Sequence, residues 1–401
     1  MKHLKKTQLF YFLALFTAAI FLFSACDDDD DTQPTPPAGN EFVIAANITA
    51  NTTWKTGNVY VLAGRITVVN GVTLTIEPGV IVKGQAGTGA NATALLVARG
   101  GMLMAEGTAE APIIFTSIAD EIEPGQIVSP NLDPDIDGLW GGVIVLGRAR
   151  ISASNQSGDI NEVQIEGIPT SDPNGLYGGN DDADNSGVLR YISIRHGGAN
   201  IGAGNEINGL TLGGVGNGTI IENIEIIANQ DDGIEWFGGT VNVKNAVVWN
   251  VNDDAIDTDQ SWSGTLDNFV VIAPGDHNFE LDGPEGSYEA GHTIKNGYVI
   301  ANDFDLERFS SDLINTDDNS IVNLENIFIT GIKEGQKINR VVHNVGVVNF
   351  LGIVLDVPAE DLANYVNGEV PAGVTAGTTY TTDFSVFGWT WAAKAGKFTG
   401  L

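Results

Sequence analysis

The 401-residue chain has a single cysteine, Cys26, so no intramolecular disulfide, cysteine-rich zinc site or iron–sulfur cluster can hold it together. Basic residues are scarce: 19 lysines and arginines face 51 aspartates and glutamates, a formal net charge of −32. That balance excludes a nucleic-acid binder held by phosphate contacts, which needs a basic face. Charged residues make up only 17% of the chain, whereas 43% is hydrophobic, enough to fill a large core and to exclude a wholly disordered acidic chain. Glycine supplies 50 residues. No segment after residue 40 holds a helical period for more than two turns, so helix-based architectures are excluded as well.

The first residues read as an address. Met1 to Lys6 is a basic stretch, Leu9 to Phe23 is apolar, and Ser24-Ala25-Cys26 follows. A short apolar run behind lysines that ends in small residues is a secretory signal rather than a spanning helix. Phe23-Ser24-Ala25-Cys26 resembles a bacterial lipobox, which implies cleavage of residues 1–25 and lipid attachment to Cys26. Cleavage removes Lys2, Lys5 and Lys6 and leaves 16 basic against 51 acidic residues. Residues 26–40 contain Asp27 to Asp31 and then a proline-rich piece, a charged and extended tether that cannot pack. An acidic run directly after a lipidated cysteine is similar to the surface-export signal of lipoproteins in the Bacteroidota. The expected location is the outer membrane, facing the cell surface and held by outer-membrane lipid, with a periplasm-facing lipoprotein as the alternative.

From residue 41 the chain alternates short runs of valine, isoleucine, leucine and threonine with glycine, asparagine and aspartate, the signature of an all-β protein. Ile221-Glu222-Asn223, Val243-Lys244-Asn245, Leu266-Asp267-Asn268, Ile294-Lys295-Asn296 and Leu324-Glu325-Asn326 repeat one pattern, apolar-charged-Asn, at spacings of 22, 23, 28 and 30 residues. A period of this size belongs to a solenoid, and one coil of a parallel β-helix fits it better than a propeller blade of about 40 residues. The repeated asparagine is then a turn residue whose side chain meets its equivalent in the next coil. The expected organisation is a single right-handed parallel β-helix over 41–370 with capped ends: residues 41–54, ending in Trp54, at the start, and 371–401, with Phe387-Gly388-Trp389-Thr390-Trp391, as the C-terminal cap. Loops enlarge coils near 117–137 and 153–186.

Val72 to Lys83, Gly101 to Ala109 and Pro112 to Thr116 resemble the opening coils of parallel β-helix proteins with a pectin-lyase-like fold. Gly138 to Gly147 and Arg190 to Gly198 are similar to one subgroup, the cell-surface lipoproteins of the Bacteroidota. The likeness runs from about residue 55 to 330 and implies fold and location rather than a defined activity.

Acidic residues recur at matching places in successive coils. If Ile234, Ile256, Phe279 and Leu306 point inward, strand alternation turns Glu235, Asp257, Glu280 and Glu307 outward in one column. Two residues on lie Phe237, Asp259 and Asp282, and the preceding turns add Asp231-Asp232, Asp253-Asp254 and Asp276-His277. Carboxylates on neighbouring strands, about 4.8 Å apart, repel by roughly 0.9 kcal/mol in water and about 3.5 kcal/mol at an effective dielectric of 20. Such a stack needs a cation, raised pKa values or splayed side chains. Calcium, with six to eight oxygen ligands in flexible geometry, suits Asp231, Glu235, Asp257, Asp259, Glu280 and Asp282; solvated acids and a catalytic group are the other readings.

Three tryptophans border these coils. Trp236 faces the core by alternation, Trp249 lies in a strand, and Trp262, in a turn, is expected to be an exposed platform for a sugar ring. An enzymatic reading rests on a resemblance to polygalacturonase-type glycosidases, which would make Asp232, Asp253 and Asp254 the acid/base group, assisted by His277. The Gly-His-Gly and Arg-Ile-Lys motifs of that family are missing here. A lyase would need a basic residue, for which Lys244, Lys295, Arg195 and Arg308 are available outside any motif. His196, His277 and His292 are too scattered for a zinc site of known spacing. The sequence points to a calcium-stabilised surface β-helix that binds extracellular polysaccharide or a surface protein without catalysis. A hydrolase or lyase acting through residues 231–259 is the alternative.

Overall fold

The computed structural model describes residues 40–201, 207–339 and 347–401. Cys26, the leader and residues 26–39 of the tether lie outside the described residues. Among the described residues no helix is long and apolar enough to cross a membrane.

Each full coil contributes three strand segments. One forms an eight-stranded, all-parallel sheet from Arg65–Val68, Ala94–Val97, Val143–Leu146, Leu210–Gly213, Ile234–Phe237, Ile256–Asp259, Glu280–Leu281 and Asn315–Thr316. The other two belong to a 15-stranded sheet. In the first coils its segments are separate strands, such as Thr73–Ile76 and Ile81–Gly84. They converge on Gly187–Arg195, whose front half pairs with Met102–Glu106 and whose back half pairs with Ile113–Ser117. From there on, one long bent strand per coil does the work of two.

The bend falls on the repeated asparagines. Asn223, Asn245, Asn268, Asn296 and Asn326 all have φ between 55° and 62°. Asparagine tolerates this left-handed conformation because its short polar side chain bonds locally. Asn245 donates to Oδ1 of Asn223 (3.0 Å) and Asn268 to Oδ1 of Asn245 (2.8 Å), so the turn residues meet from coil to coil as the repeat implied. Asn296 breaks the run by donating to Asp267 (2.7 Å). Parallel register carries Ile221, Val243, Leu266, Ile294 and Leu324 into one buried column, which explains why the pattern recurs apolar-charged-Asn.

The interior is one continuous apolar cluster running from Ile48 and Trp54 to Val374. Trp54 stacks on Tyr60 at its start (centroids 4.8 Å apart). At the far end Val357, Leu362, Tyr365, Val366 and Val370 pack on the cluster. The C-terminal segment expected to cap that end does something different. Val374–Ala376 adds a strand to the large sheet, and residues 384–398 turn back along its outer face. There Phe387 and Trp391 cover Val247, Trp249, Val270 and Tyr298. Trp391 also lies over Arg195, buried beside Glu225, and Glu225 accepts a hydrogen bond from the Ala392 amide (3.0 Å).

The long insertions also cover outer faces. Residues 153–177 fold into two small hairpins, Ala153–Asn155 with Gly158–Ile160 and Val163–Gln164 with Leu176–Tyr177. Their Ile165, Ile168 and Tyr177 bury the outward side chains of Leu96, Ile144, Leu146 and Phe237.

Candidate functional site

The outward face of the eight-stranded sheet turns acidic in its later coils. Glu235, Asp257 and Glu280 are direct neighbours in register, each between inward-facing residues of the core such as Ile234 and Trp236. The fourth place in this column belongs to Asn315, not to Glu307. Leu306 is 54% exposed and Glu307 has φ 53° in a small hairpin between Asn302–Asp303 and Arg308–Phe309. The hairpin inserts residues into that coil, and the simple spacing used to extend the column therefore fails there.

Two groups of facing side chains result. In the first, carboxylate oxygens of Asp232, Glu235 and Asp257 all lie within 4.8 Å of one another, and all three residues are buried. Asp232 accepts a hydrogen bond from the Asp254 amide (2.9 Å). Asn208, 1% exposed, donates to Glu235, while its own amide oxygen has no protein partner. Burial, reinforced by the neighbouring acids, pushes the pKa of each of the three acids well above the usual carboxylate range. Asp259, on the next outward position, is pushed up to about 7 by burial and then by Asp282 and Glu285. Glu166, from the 153–177 insertion, adds its charge to both Glu235 and Asp259.

In the second group, ligand atoms of Asp254, His277 and Glu280 lie within 4.8 Å of one another. Nδ1 of His277 is 2.8 Å from Oδ1 of Asp254, which also accepts the His277 amide (2.6 Å). Nε2 is 3.1 Å from the Asn315 amide nitrogen, with Asp276 and Asp312 at 3.6 and 3.7 Å. Burial alone would push His277 down, but the hydrogen bond and charge of Asp254 outweigh it and raise the pKa to about 9. Glu280 rises to about 9, through burial and then Asp254. Asp231, Asp232 and Asp253 form a further group within 4.8 Å, as do Asp253, Asp254 and Asp276. The four residues of the enzymatic reading and the six of the calcium reading thus fall on one continuous acidic strip. Asp259 and Asp282 lie at its edge, outside the tightest groups.

Other expectations need correction. Trp262 is fully buried: it stacks on Trp236 (4.5 Å), donates to the Val241 carbonyl (2.9 Å) and lies against His292. Gln260 and Ser261 both take positive φ, 52° and 59°, and turn the following side chain inward. His292 is a core residue held down to about 3 by burial. His196 is buried against the Ile136 carbonyl and Trp391. The basic residues stay off the strip: Arg195 pairs with Glu225, Lys295 with Asp267, Lys244 sits on the bent sheet, and Arg308 donates to the carbonyls of Ala273 and Val251.

Sequence spacing found the column and the turn acids. It missed Asn208, Asn315 and Asp312, because polar residues outside the repeat phase carry no periodic signal, and Glu166, because only the folded insertion brings it near.

A buried strip of carboxylates with a lone amide oxygen can take a hard cation, whose oxygen ligands it would supply, or can share protons. A family model described as a pectate-lyase like beta helix domain matches residues 46–394. No curated protein and no solved structure matches the chain. With parallel strands from Glu41 to Ala376 and a family match over most of its length, the chain belongs to the pectate-lyase-like β-helix family.

Proposed function

We propose that the protein is a non-catalytic binding module of the cell surface, a lipid-anchored β-helix whose acidic strip holds calcium and whose flank takes extracellular carbohydrate or another surface ligand. One observation carries the calcium part: the buried carboxylates of Asp232, Glu235 and Asp257 within 4.8 Å of one another, beside the unpartnered oxygen of Asn208. Like charges this close and this far from water stay ionised only with a cation among them. Carboxylate and amide oxygens are a hard-ligand set, which favours calcium over softer metals. Asp254 and Glu280 offer further oxygens one coil along. The anchor rests on Cys26 and its lipobox resemblance, and the surface location on the acidic run behind it.

The test is calorimetry with calcium and with magnesium at pH 8, alongside melting in EDTA. Saturable calcium binding that is lost in Glu235→Gln/Asp257→Asn supports the reading. Equal melting in calcium and EDTA, with no heat of binding, overturns it.

A hydrolase is the second reading, and the Asp254–His277–Glu280 contacts favour it: Glu280 is poised as an acid while Asp254 holds a histidine. Incubation with plant and algal polysaccharides separates the two readings. Shortened products that vanish with Asp254→Asn would place catalysis on the strip.

A further inference from the structure

We propose that His277, with Asp276, Glu280 and Asp312, holds a divalent transition ion of the zinc type at a centre separate from the calcium group. The inference goes beyond the calcium reading and uses none of the ligands Asp232, Glu235 and Asp257 that carry it.

Register is the first argument. The carbonyls of Asp232, Asp254 and His277 accept equivalent hydrogen bonds, from the amides of Gly209, Gly233 and Ala255 in the coil before. His277 then pairs in parallel with Asp312 in the coil after. Asn208, Asp232, Asp254, His277 and Asp312 therefore occupy one place in five successive coils. Four of these side chains offer oxygen, and His277 alone offers an imidazole nitrogen.

The second argument is the orientation of that imidazole. Its Nδ1 donates to Oδ1 of Asp254 at 2.8 Å, which turns Nε2 toward other acids. Asp276 Oδ1 stands 3.6 Å from Nε2 and Asp312 Oδ2 stands 3.7 Å from it. Glu280 offers an oxygen within 4.8 Å of His277 and Asp254. Ligands on a tetrahedral zinc with bonds of about 2.1 Å lie about 3.4 Å apart, so the group needs to close only slightly. The Asn315 amide nitrogen, 3.1 Å from Nε2, is the contact that the ion displaces; the same amide also reaches Glu280 Oε1 (3.5 Å).

Asp312 supplies an independent sign of a ligand. Its side chain is 9% exposed, and Oδ1 has no hydrogen-bond partner among the described residues, while Oδ2 accepts from Asn339. A buried carboxylate oxygen left without a donor calls for a cation. One nitrogen and three carboxylate oxygens then decide the class. Calcium and magnesium take oxygen shells, whereas an imidazole favours zinc and similar borderline ions. Asp254 becomes the carboxylate that orients the ligating histidine from behind. Asp276, with a side chain 41% exposed, gives the ion a way in. A histidine bound on both ring nitrogens cannot pass a proton, so an ion here competes with the hydrolase reading.

The experiment uses the full chain in detergent at pH 8, stripped with EDTA, desalted and then saturated with calcium. Calorimetry with zinc should show one ion bound per chain. That binding should be lost in His277→Gln, weakened roughly 10- to 100-fold in Asp254→Asn, and retained in Glu235→Gln/Asp257→Asn. The visible absorption of cobalt bound in place of zinc should also vanish in His277→Gln, which reads the nitrogen ligand rather than the fold. Unaltered melting in EDTA would show that His277→Gln still folds; otherwise Asp312→Asn, expected to weaken zinc roughly tenfold or more, takes its place. Zinc binding that survives these substitutions would overturn the site. Loss in Glu235→Gln/Asp257→Asn with retention in His277→Gln would move the zinc to the calcium group and overturn the separate centre. No zinc binding in the presence of calcium would overturn the inference, and the calcium titration above would still judge the calcium reading by itself.

Discussion

One outward column on the eight-stranded sheet passes through two different regimes. It runs Thr67, Leu96, Ile144, Thr211, then Glu235, Asp257, Glu280, Asn315, every step fixed by parallel register. The backbone is equivalent throughout, with neighbouring strands about 4.8 Å apart. In the early coils the column's middle positions, Leu96 and Ile144, are apolar and lie under Ile165, Ile168 and Tyr177 of the insertion. In the later coils it is acidic and three carboxylates crowd together with Asn208 at their side. A solenoid thus offers one geometry repeatedly, and the covering loop decides which side chains can stand on it. Where an apolar loop lies, the column is part of the packing. Past its apolar side chains, where the insertion brings Glu166 near Glu235, the column turns acidic.

The sharpest way to break this contrast is to move the acidic chemistry into the covered half. Ile144→Asp would bury a charge beneath the insertion with no partner, and should cost about 4 kcal/mol or more, read by chemical denaturation. An ordinary surface cost, below about 0.5 kcal/mol, would mean that the cover opens freely.

The opposite exchange removes charge from the later half. Glu235→Gln/Asp257→Asn relieves a repulsion of about 3.5 kcal/mol at an effective dielectric of 20. Without calcium this variant should melt higher than the parent; with calcium it should melt lower, because the parent alone gains from the ion. The crossing of the two curves, rather than either shift, is the expected signature.

A ladder substitution serves as the control. Asn245→Ala loses the bond it donates to Asn223 and the bond it accepts from Asn268, and leaves alanine at φ 58°. It should cost about 3 kcal/mol, from about 1 for each bond and about 1 for the left-handed backbone, with or without calcium alike. A calcium-dependent cost would tie the bend to the strip, contrary to the account.

The pH dependence of the ion-free protein sharpens the comparison without any substitution. Asp259 and Glu280 have folded pKa values raised to about 7 and about 9, above their unfolded values. For an acid shifted this way the folded state holds the proton longer, so stability is lost as pH rises from the unfolded pKa through the folded one. His277, raised to about 9, also favours the folded state below its unfolded pKa and loses that contribution as pH climbs through 9. All three act in one direction: in EDTA the melting temperature should fall between pH 5 and pH 9, and calcium should flatten the slope. A rise over that range would contradict the assignment.

The coil repeat and the acidic later half were legible in the sequence, whereas the apolar outer face under the insertion was not. The recurring asparagines gave the coil length because the left-handed bend they occupy must return once per turn. Alternation around Ile234 and Ile256 gave the outward acids, since one face of each strand is sealed in the core. What escaped was set by departures from the repeat. The hairpin before Arg308 shifts the phase and puts Asn315 where Glu307 was expected. Two positive-φ residues turn Trp262 from a surface platform into the stacking partner of Trp236. The return of Trp391 to the flank of Arg195 depends on contacts almost two hundred residues apart, and no local pattern encodes it.

The most direct test of the central claim is a calcium titration by calorimetry at pH 8, comparing the parent chain with Glu235→Gln/Asp257→Asn. The account predicts saturable binding by the parent and none at this site in the variant. Identical heats from both proteins, or no binding by either, would contradict it and leave the buried carboxylates held by shared protons.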